Sequence, residues 1–312
     1  MKVFISLNQF CHFSDIPKKL LKKYNIEYIN NPLKRKLSEK DLIKYQNNCD
    51  FILAGTEKIS KKVMYNNKNL KAISRVGVGI DNIDLNVAKK KQIKVFNTPL
   101  APSDSVAEFS LALILNSIKQ INLMDTRIRK KKWIKLRGKM ISDLNIGIIG
   151  TGNIGSKLIK LLFFLKPKKI LAYDKIKKTN LVKNFNVSYV SKQALLKNSD
   201  LISLHLSSNQ KTKKFIGGDE FKLMKKSAII VNTSRGDLID EKKLENALKR
   251  KIIGFAAVDV FEKEPYKGSM ISLENCLITS HSSSFTESAR KMMEIQAVKN
   301  IIRFCLKNKK LN

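Results

Sequence analysis

The sequence predicts an α/β chain built on doubly wound parallel sheets, and three observations carry that expectation. Asn145 to Asp174 reads as strand, glycine turn, helix, strand and acidic residue, the order of a dinucleotide-binding βαβ unit. Four later apolar runs each end in a polar residue and alternate with helix-period segments, as in a parallel sheet. Residues 1–98 hold short apolar runs separated by Lys-rich helical stretches, which reads as a smaller α/β domain.

A length of 312 residues suits two domains, and a hydrophobic content of 43% is enough for sizeable cores. Cysteines 11, 49, 276 and 305 are scattered, without a CxxC pair or a metal spacing. Buried thiols in a reducing compartment are expected, and no metal. The opening MKVFISLNQF lacks the long apolar core of a signal peptide, and no apolar run approaches roughly 18 residues. A soluble, cytoplasmic protein without a membrane span is the expectation. The formal net charge is +35, from 61 Lys+Arg against 26 Asp+Glu. Such a field attracts polyanions, but the excess is lysine spread along the whole chain, and only Arg127 to Lys132 is concentrated. That distribution fits no specific nucleic-acid partner; it does favour small anionic substrates.

In chain order, Val3–Leu7, Phe51–Ala54 and Leu70–Ser74 read as strands. At Arg75-Val76-Gly77-Val78-Gly79 two glycines follow a strand end, where backbone N–H groups can converge on an anion. KVFNTP is a further strand, closed by Pro99. Ser105-x-x-Glu108 reads as a capping box that opens a long, densely apolar helix to about Thr126. So apolar a helix must bridge domains or subunits, and Trp133 beyond it is expected to pack. The chain is expected to divide near Thr98 to Ser103, into 1–98 plus 285–312 and 99–284. The last segment, Phe285 to Leu311, reads as an amphipathic helix returning to the first part.

In the βαβ unit, Gly150 permits the tight turn, Gly152 lets backbone approach a pyrophosphate, and Gly155 lets the helix pack on the strand. The helix N-terminus offers N–H groups and a positive dipole end to phosphates. Asp174 can accept from the ribose diol of NAD and would repel the extra phosphate of NADP. Lys175, Lys177 and Lys178 leave some tolerance for NADP. The later runs Asp200–Leu206, Ala228–Val231, Gly254–Val258 and Cys276–Thr279 bring His205, Arg235, Asp259 and His281 to the edge that holds Asp174. Ligands bind outside the carboxyl ends of such strands. Hydride exchange with a carbonyl needs a polarised oxygen, a proton source and an aimed substrate. Arg235 can supply a fixed, charged fork. Histidine ordinarily titrates near neutrality, which suits His281 as proton donor. Glu264 could pair with that imidazole.

The residues SRVGVGIDNIDL, VFNTP followed by SVAE, GIIGTGNIG with AYD, NTSRGDLIDE, AAVDVFEKEP and the final histidine resemble the D-isomer-specific 2-hydroxyacid dehydrogenases. The resemblance covers nearly the whole chain. It implies two Rossmann-like domains with the active cleft between them, 1–98 plus 285–312 holding substrate and 99–284 holding NAD. It also implies Arg235 as the substrate-binding arginine and Glu264 orienting the acid/base His281. The backbone of Val78 and Gly79 would hold the substrate carboxylate, with Arg75 nearby. Thr98, Asn153, Ile154, Asp174, Thr233 and Asp259 fall where relatives contact NAD. A homodimer on the helix after SVAE is implied as well. Ser282-Ser283-Ser284 and Leu206-Ser207 depart from the family pattern. So short a chain is not expected to carry a regulatory domain. A small D-2-hydroxyacid is the expected substrate, 3-phosphoglycerate first and glyoxylate or hydroxypyruvate next. A co-repressor-like NAD-sensing protein on the same fold is the alternative from another class.

Overall fold

The structure is a computed structural model that describes residues 1–309. In chain order the elements are β1 (Lys2–Ile5), α1 (Ile16–Lys23), β2 (Glu27–Asn30), α2 (Glu39–Tyr45), β3 (Phe51–Ala54), α3 (Lys61–Asn66), β4 (Ala72–Arg75), α4 (Leu85–Lys90) and β5 (Lys94–Phe96). There follow α5 (Ser103–Lys119), α6 (Ile121–Arg129), β6 (Asn145–Ile149), α7 (Asn153–Phe164), β7 (Lys169–Tyr173), α8 (Thr179–Phe185), β8 (Val187–Tyr189), α9 (Lys192–Asn198) and β9 (Leu201–Leu204). The last are α10 (Gly218–Leu223), β10 (Ile229–Asn232), α11 (Glu241–Lys249), β11 (Phe255–Val258), β12 (Cys276–Ile278) and α12 (Glu287–Lys309). Lys310 and Leu311, which the sequence reading placed in the last helix, lie outside the described residues.

The chain forms two compact units, one of Met1–Pro102 with the segment from Phe285, the other Ser103–Ser284. The first unit holds a five-stranded sheet in the order β2-β1-β3-β4-β5, with every pairing parallel. The central strands are covered on both faces and read as continuous apolar runs: β3 is buried at all four positions, whereas the edge strand β2 is largely exposed. One face packs under α12, where Met293, Ala297, Val298, Ile301 and Ile302 join Val3, Ile5, Phe51 and Leu53. Ser74 Oγ donates to the Ala297 carbonyl (2.9 Å), which fixes that helix on β4.

The second unit holds seven strands in the order β12-β11-β10-β9-β6-β7-β8, again all parallel. The order reverses between β6 and β9, so the topological switch point lies directly at the glycine turn. α5 is buried along Val106, Ala107, Leu113, Ile114 and Ile118. Its start and end differ from the expectation. The helix begins at Ser103, so Ser105 is inside its first turn, where its Oγ donates to the Ser283 carbonyl (2.8 Å). No capping box forms there. The helix also stops at Lys119, because Gln120 adopts a left-handed conformation (φ 56°) before α6 begins. Trp133 does not pack; it is 83% exposed. Among the described residues no helix is long and apolar enough to cross a membrane, and no acidic, His or Cys cluster could hold a metal. Cys49, Cys276 and Cys305 are buried free thiols, and Cys11 is half-buried.

Candidate active site

The glycine turn follows β6. Gly150 takes a φ of +95°, which L side chains rarely adopt, and a Cβ there would meet the His205 carbonyl oxygen at 2.6 Å. At Gly155 a Cβ would lie 2.0 Å from the Gly150 carbonyl oxygen, so α7 can pack on β6 only with glycine there. Over Gly152 nothing lies within 4 Å of where a Cβ would sit. Open space therefore borders the N-terminus of α7, which Asn153 opens and whose first turn carries the N–H groups a phosphate accepts from. Ile154 packs inward on the core below. Asp174, one residue past β7, turns its Oδ2 toward the Thr151 amide (2.6 Å) and hydroxyl (3.1 Å), and its Oδ1 toward the Ile176 amide (3.1 Å). The carboxylate fixes the turn, and its oxygens keep lone pairs for a ribose hydroxyl. This open backbone, helix terminus and acid fit a dinucleotide.

Along the same edge, β10 runs into a loop built by its own side chains. Asn232 Nδ2 donates to the Arg235 carbonyl (2.8 Å), its Oδ1 accepts from the Ser234 amide (3.0 Å), and Ser234 Oγ donates to the Leu204 carbonyl (2.6 Å). Arg235 Nη1 donates to the Ser234 carbonyl (2.6 Å). Gly236 is obligatory next, because a Cβ would sit 2.0 Å from the Phe261 carbonyl carbon. Two strands further, His281 has φ +54° and its amide donates to the Asp259 carbonyl (2.8 Å). The Asp259 side chain is fully buried and accepts from Thr279 Oγ1 (2.6 Å) and from the amides of Ser282 (2.9 Å) and Ser283 (3.0 Å). It organises the loop that carries the imidazole. His281 Nδ1 lies 2.8 Å from Glu264 Oε2, and Glu264 Oε1 accepts from the Phe261 amide (3.1 Å). Both side chains are about one-third exposed, 34% and 35%. With Nδ1 engaged by the carboxylate, Nε2 is the nitrogen left to exchange a proton with a ligand.

His205 shares this edge but not this chemistry. Its ring is buried, Nε2 meets Ser203 Oγ (2.9 Å), and burial pushes its pKa down to about 3. It is a neutral packing group under the glycine turn. Thr233 is buried as well, its Oγ1 2.8 Å from Ser110 Oγ.

In the first unit, the loop after β4 turns at Gly77 with φ +141°, and a Cβ there would meet Arg75 Nη1 at 1.0 Å. The guanidinium lies across its own loop, donating to the Val76 carbonyl (2.7 Å). Thr98 is fully buried; its Oγ1 accepts from the Gly77 amide (2.8 Å) and its amide donates back to the Gly77 carbonyl (2.9 Å). Asn97 Nδ2 donates to the Val78 carbonyl (2.7 Å). Among the described residues nothing accepts from the Val78 or Gly79 N–H groups. These two amides are thus available as donors.

The sequence reading missed Asn232, Ser234 and Gly236 as builders of the Arg235 loop. It also missed Glu241, whose Oε2 accepts from the Glu262 amide (2.8 Å). All four lie in the NTSRGDLIDE run that follows the strand end, and nothing in that run tells which side chains build the loop.

Residues 111–283 match the family model described as D-isomer specific 2-hydroxyacid dehydrogenase, NAD binding domain. A hydroxypyruvate reductase of Thermotoga maritima is 36% identical over 260 residues, covering 81% of this chain and 83% of that protein. A D-3-phosphoglycerate dehydrogenase of Methanocaldococcus jannaschii is 36% identical across 86% of this chain and 52% of its own length. The solved D-lactate dehydrogenase of Aquifex aeolicus, complexed with NAD and lactic acid, superposes with a TM-score of 0.85 at 27% identity, covering 99% and 97% of the two chains. The chain belongs to the D-isomer specific 2-hydroxyacid dehydrogenases, NAD-dependent oxidoreductases that act on CH–OH donors.

Proposed function

We propose that this enzyme reduces a small, unbranched 2-keto acid such as hydroxypyruvate or glyoxylate, with Arg235, Glu264 and His281 as its catalytic set. The observation that carries the reading is the 2.8 Å His281–Glu264 pair on the edge that also holds the glycine turn and Arg235. Bound NAD supplies the hydride acceptor or donor. Glu264 holds the imidazole by Nδ1 and stabilises its charged form, so that Nε2–H can protonate the keto oxygen as charge develops there. Arg235 offers a planar, permanently charged fork that polarises the carbonyl and orients the carboxylate. The N–H groups of Val78 and Gly79 are candidates for the substrate carboxylate, which the family resemblance also assigns to them. Thr98, Thr233 and Asp259 then act on the cofactor side by holding backbone in place.

A phosphorylated substrate is the second reading. It is favoured by the charge of Arg75 and by the net charge of +35. Against it, Arg75 spends Nη1 on the Val76 carbonyl instead of extending past the amide pair. NADH absorbance with glyoxylate, hydroxypyruvate and phosphohydroxypyruvate separates the two. Faster turnover of the phosphorylated acid by kcat/KM would reverse the preference. His281→Asn should lower kcat roughly a thousandfold, and an unimpaired variant would refute the acid/base role.

The reading includes a homodimer. Ile121, Ile128, Trp133 and Met140, on α6 and the segment after it, expose between 53% and 83% of their surface. Exposed apolar side chains of that size are available to a partner subunit. Sedimentation velocity at micromolar concentration should show the dimer; a lone monomer boundary would remove this part.

A further inference from the structure

Glu241 stands outside the catalytic set yet reaches the loop that holds it. The residue follows the N-cap Asp240 at the start of α11, six positions after Arg235. Its Oε2 accepts from the Glu262 amide at 2.8 Å. Glu262 follows Phe261, whose amide donates to Glu264 Oε1 and whose ring stacks on Tyr266 with centroids 4.1 Å apart. Gly236 lies close against the Phe261–Glu262 peptide. The segment bearing Arg235 and the segment bearing Glu264 are thus joined twice, once by backbone contact and once by the Glu241 carboxylate.

Charge adds a second role. Burial raises the pKa of Glu241, and the negative charges of Glu262 and Glu264 add to it, against the hydrogen bond from the Glu262 amide. Glu241 also acts through space on Tyr266, while Lys214 pairs with Asp240 at 3.0 Å and feels Glu262. The lysine charge is met by Asp240, and Glu241 and Glu264 act on each other as like charges. When the His281–Glu264 pair loses its proton it passes from neutral to −1. A nearby carboxylate opposes that change.

We infer that Glu241 is a positioning residue for the acid/base pair, tying the Glu264 loop to the Arg235 segment and supporting the charged imidazole. The inference rests on the catalytic reading of Glu264 and His281 given above. Glu241→Gln keeps an acceptor for the Glu262 amide and removes the charge; Glu241→Ala removes both.

The chain has three histidines, and buried His205 takes up no proton above strongly acid pH. NMR of ring-labelled histidine therefore follows His12 and His281 alone, with His281→Asn giving the assignment. Glu241→Gln should move the His281 midpoint down by roughly half a pH unit and leave His12 where it is. The midpoint of the kcat/KM profile should move by the same amount. Glu241→Ala should add a loss of roughly tenfold in kcat at unchanged melting temperature. An unmoved His281 midpoint in both variants overturns the inference even where His281→Asn abolishes turnover. A moved midpoint in an enzyme indifferent to His281→Asn leaves the coupling standing and removes the catalytic reading instead.

Discussion

The two units share a construction and differ in their turns. Both are all-parallel, doubly wound sheets, five strands in one and seven in the other. Both place a glycine of positive φ just past a strand, +141° at Gly77 and +95° at Gly150. At Gly77 the space a side chain would need is filled by Arg75, from the same loop. At Gly150 it is filled by the His205 carbonyl of the neighbouring strand, and two residues on, at Gly152, the space is empty. The first turn is closed on itself and offers two amides; the second opens onto a helix terminus. Topology alone does not make a nucleotide site, since the first unit has the sheet but not the turn.

Substituting the glycines sharpens this contrast. Gly155→Val should have the largest effect, because its Cβ would meet the Gly150 carbonyl oxygen at 2.0 Å. A loss of about 2–3 kcal/mol and of measurable NADH binding is expected, by urea unfolding and fluorescence titration. Gly77→Ala should raise KM for the keto acid about tenfold, since Arg75 and the two amides must shift, and weaken NADH binding far less than Gly155→Val does. If both substitutions weakened NADH equally, the division of labour between the turns would be wrong. A smaller effect concerns His205. Its folded-state pKa of about 3 lies below the unfolded value near 6.5, so the unfolded chain takes up the proton first. Stability is complete above pH 6.5 and falls as the pH drops toward 3, by about 1–3 kcal/mol at pH 4.5. Comparing urea midpoints at pH 7 and pH 4.5 tests this. His205→Gln should lose less on acidification than the parent, and an equal loss would show that His205 is not the source.

Much of the fold was legible because its signals are local. Phe51–Ala54 and Glu241–Lys249 form the strand and helix that their patterns imply, and the Asn145–Asp174 unit has its elements in the expected order. The misreadings are long-range. Ser105 looked like a cap because Glu108 follows it by three, but its hydroxyl is used by the Ser283 carbonyl, 178 residues away. The stop at Gln120 leaves no glycine or proline to mark it. Trp133, expected to pack, is exposed because burial depends on what the fold brings around a side chain. The gathering of Arg235 and His281 on one edge could be read from strand ends. The hydrogen bonds that Asp259 makes to the Ser282 and Ser283 amides could not, since they depend on a loop closing around a buried carboxylate.

The anchoring of α12 on β4 has a consequence for the order in which the molecule can be completed. The sheet of the first unit relies on Ala297, Val298 and Ile301 to cover one of its faces. Those side chains emerge from the ribosome after every strand of the second unit. The segment synthesised first must therefore wait, greasy side uncovered, while its younger neighbour can already be whole.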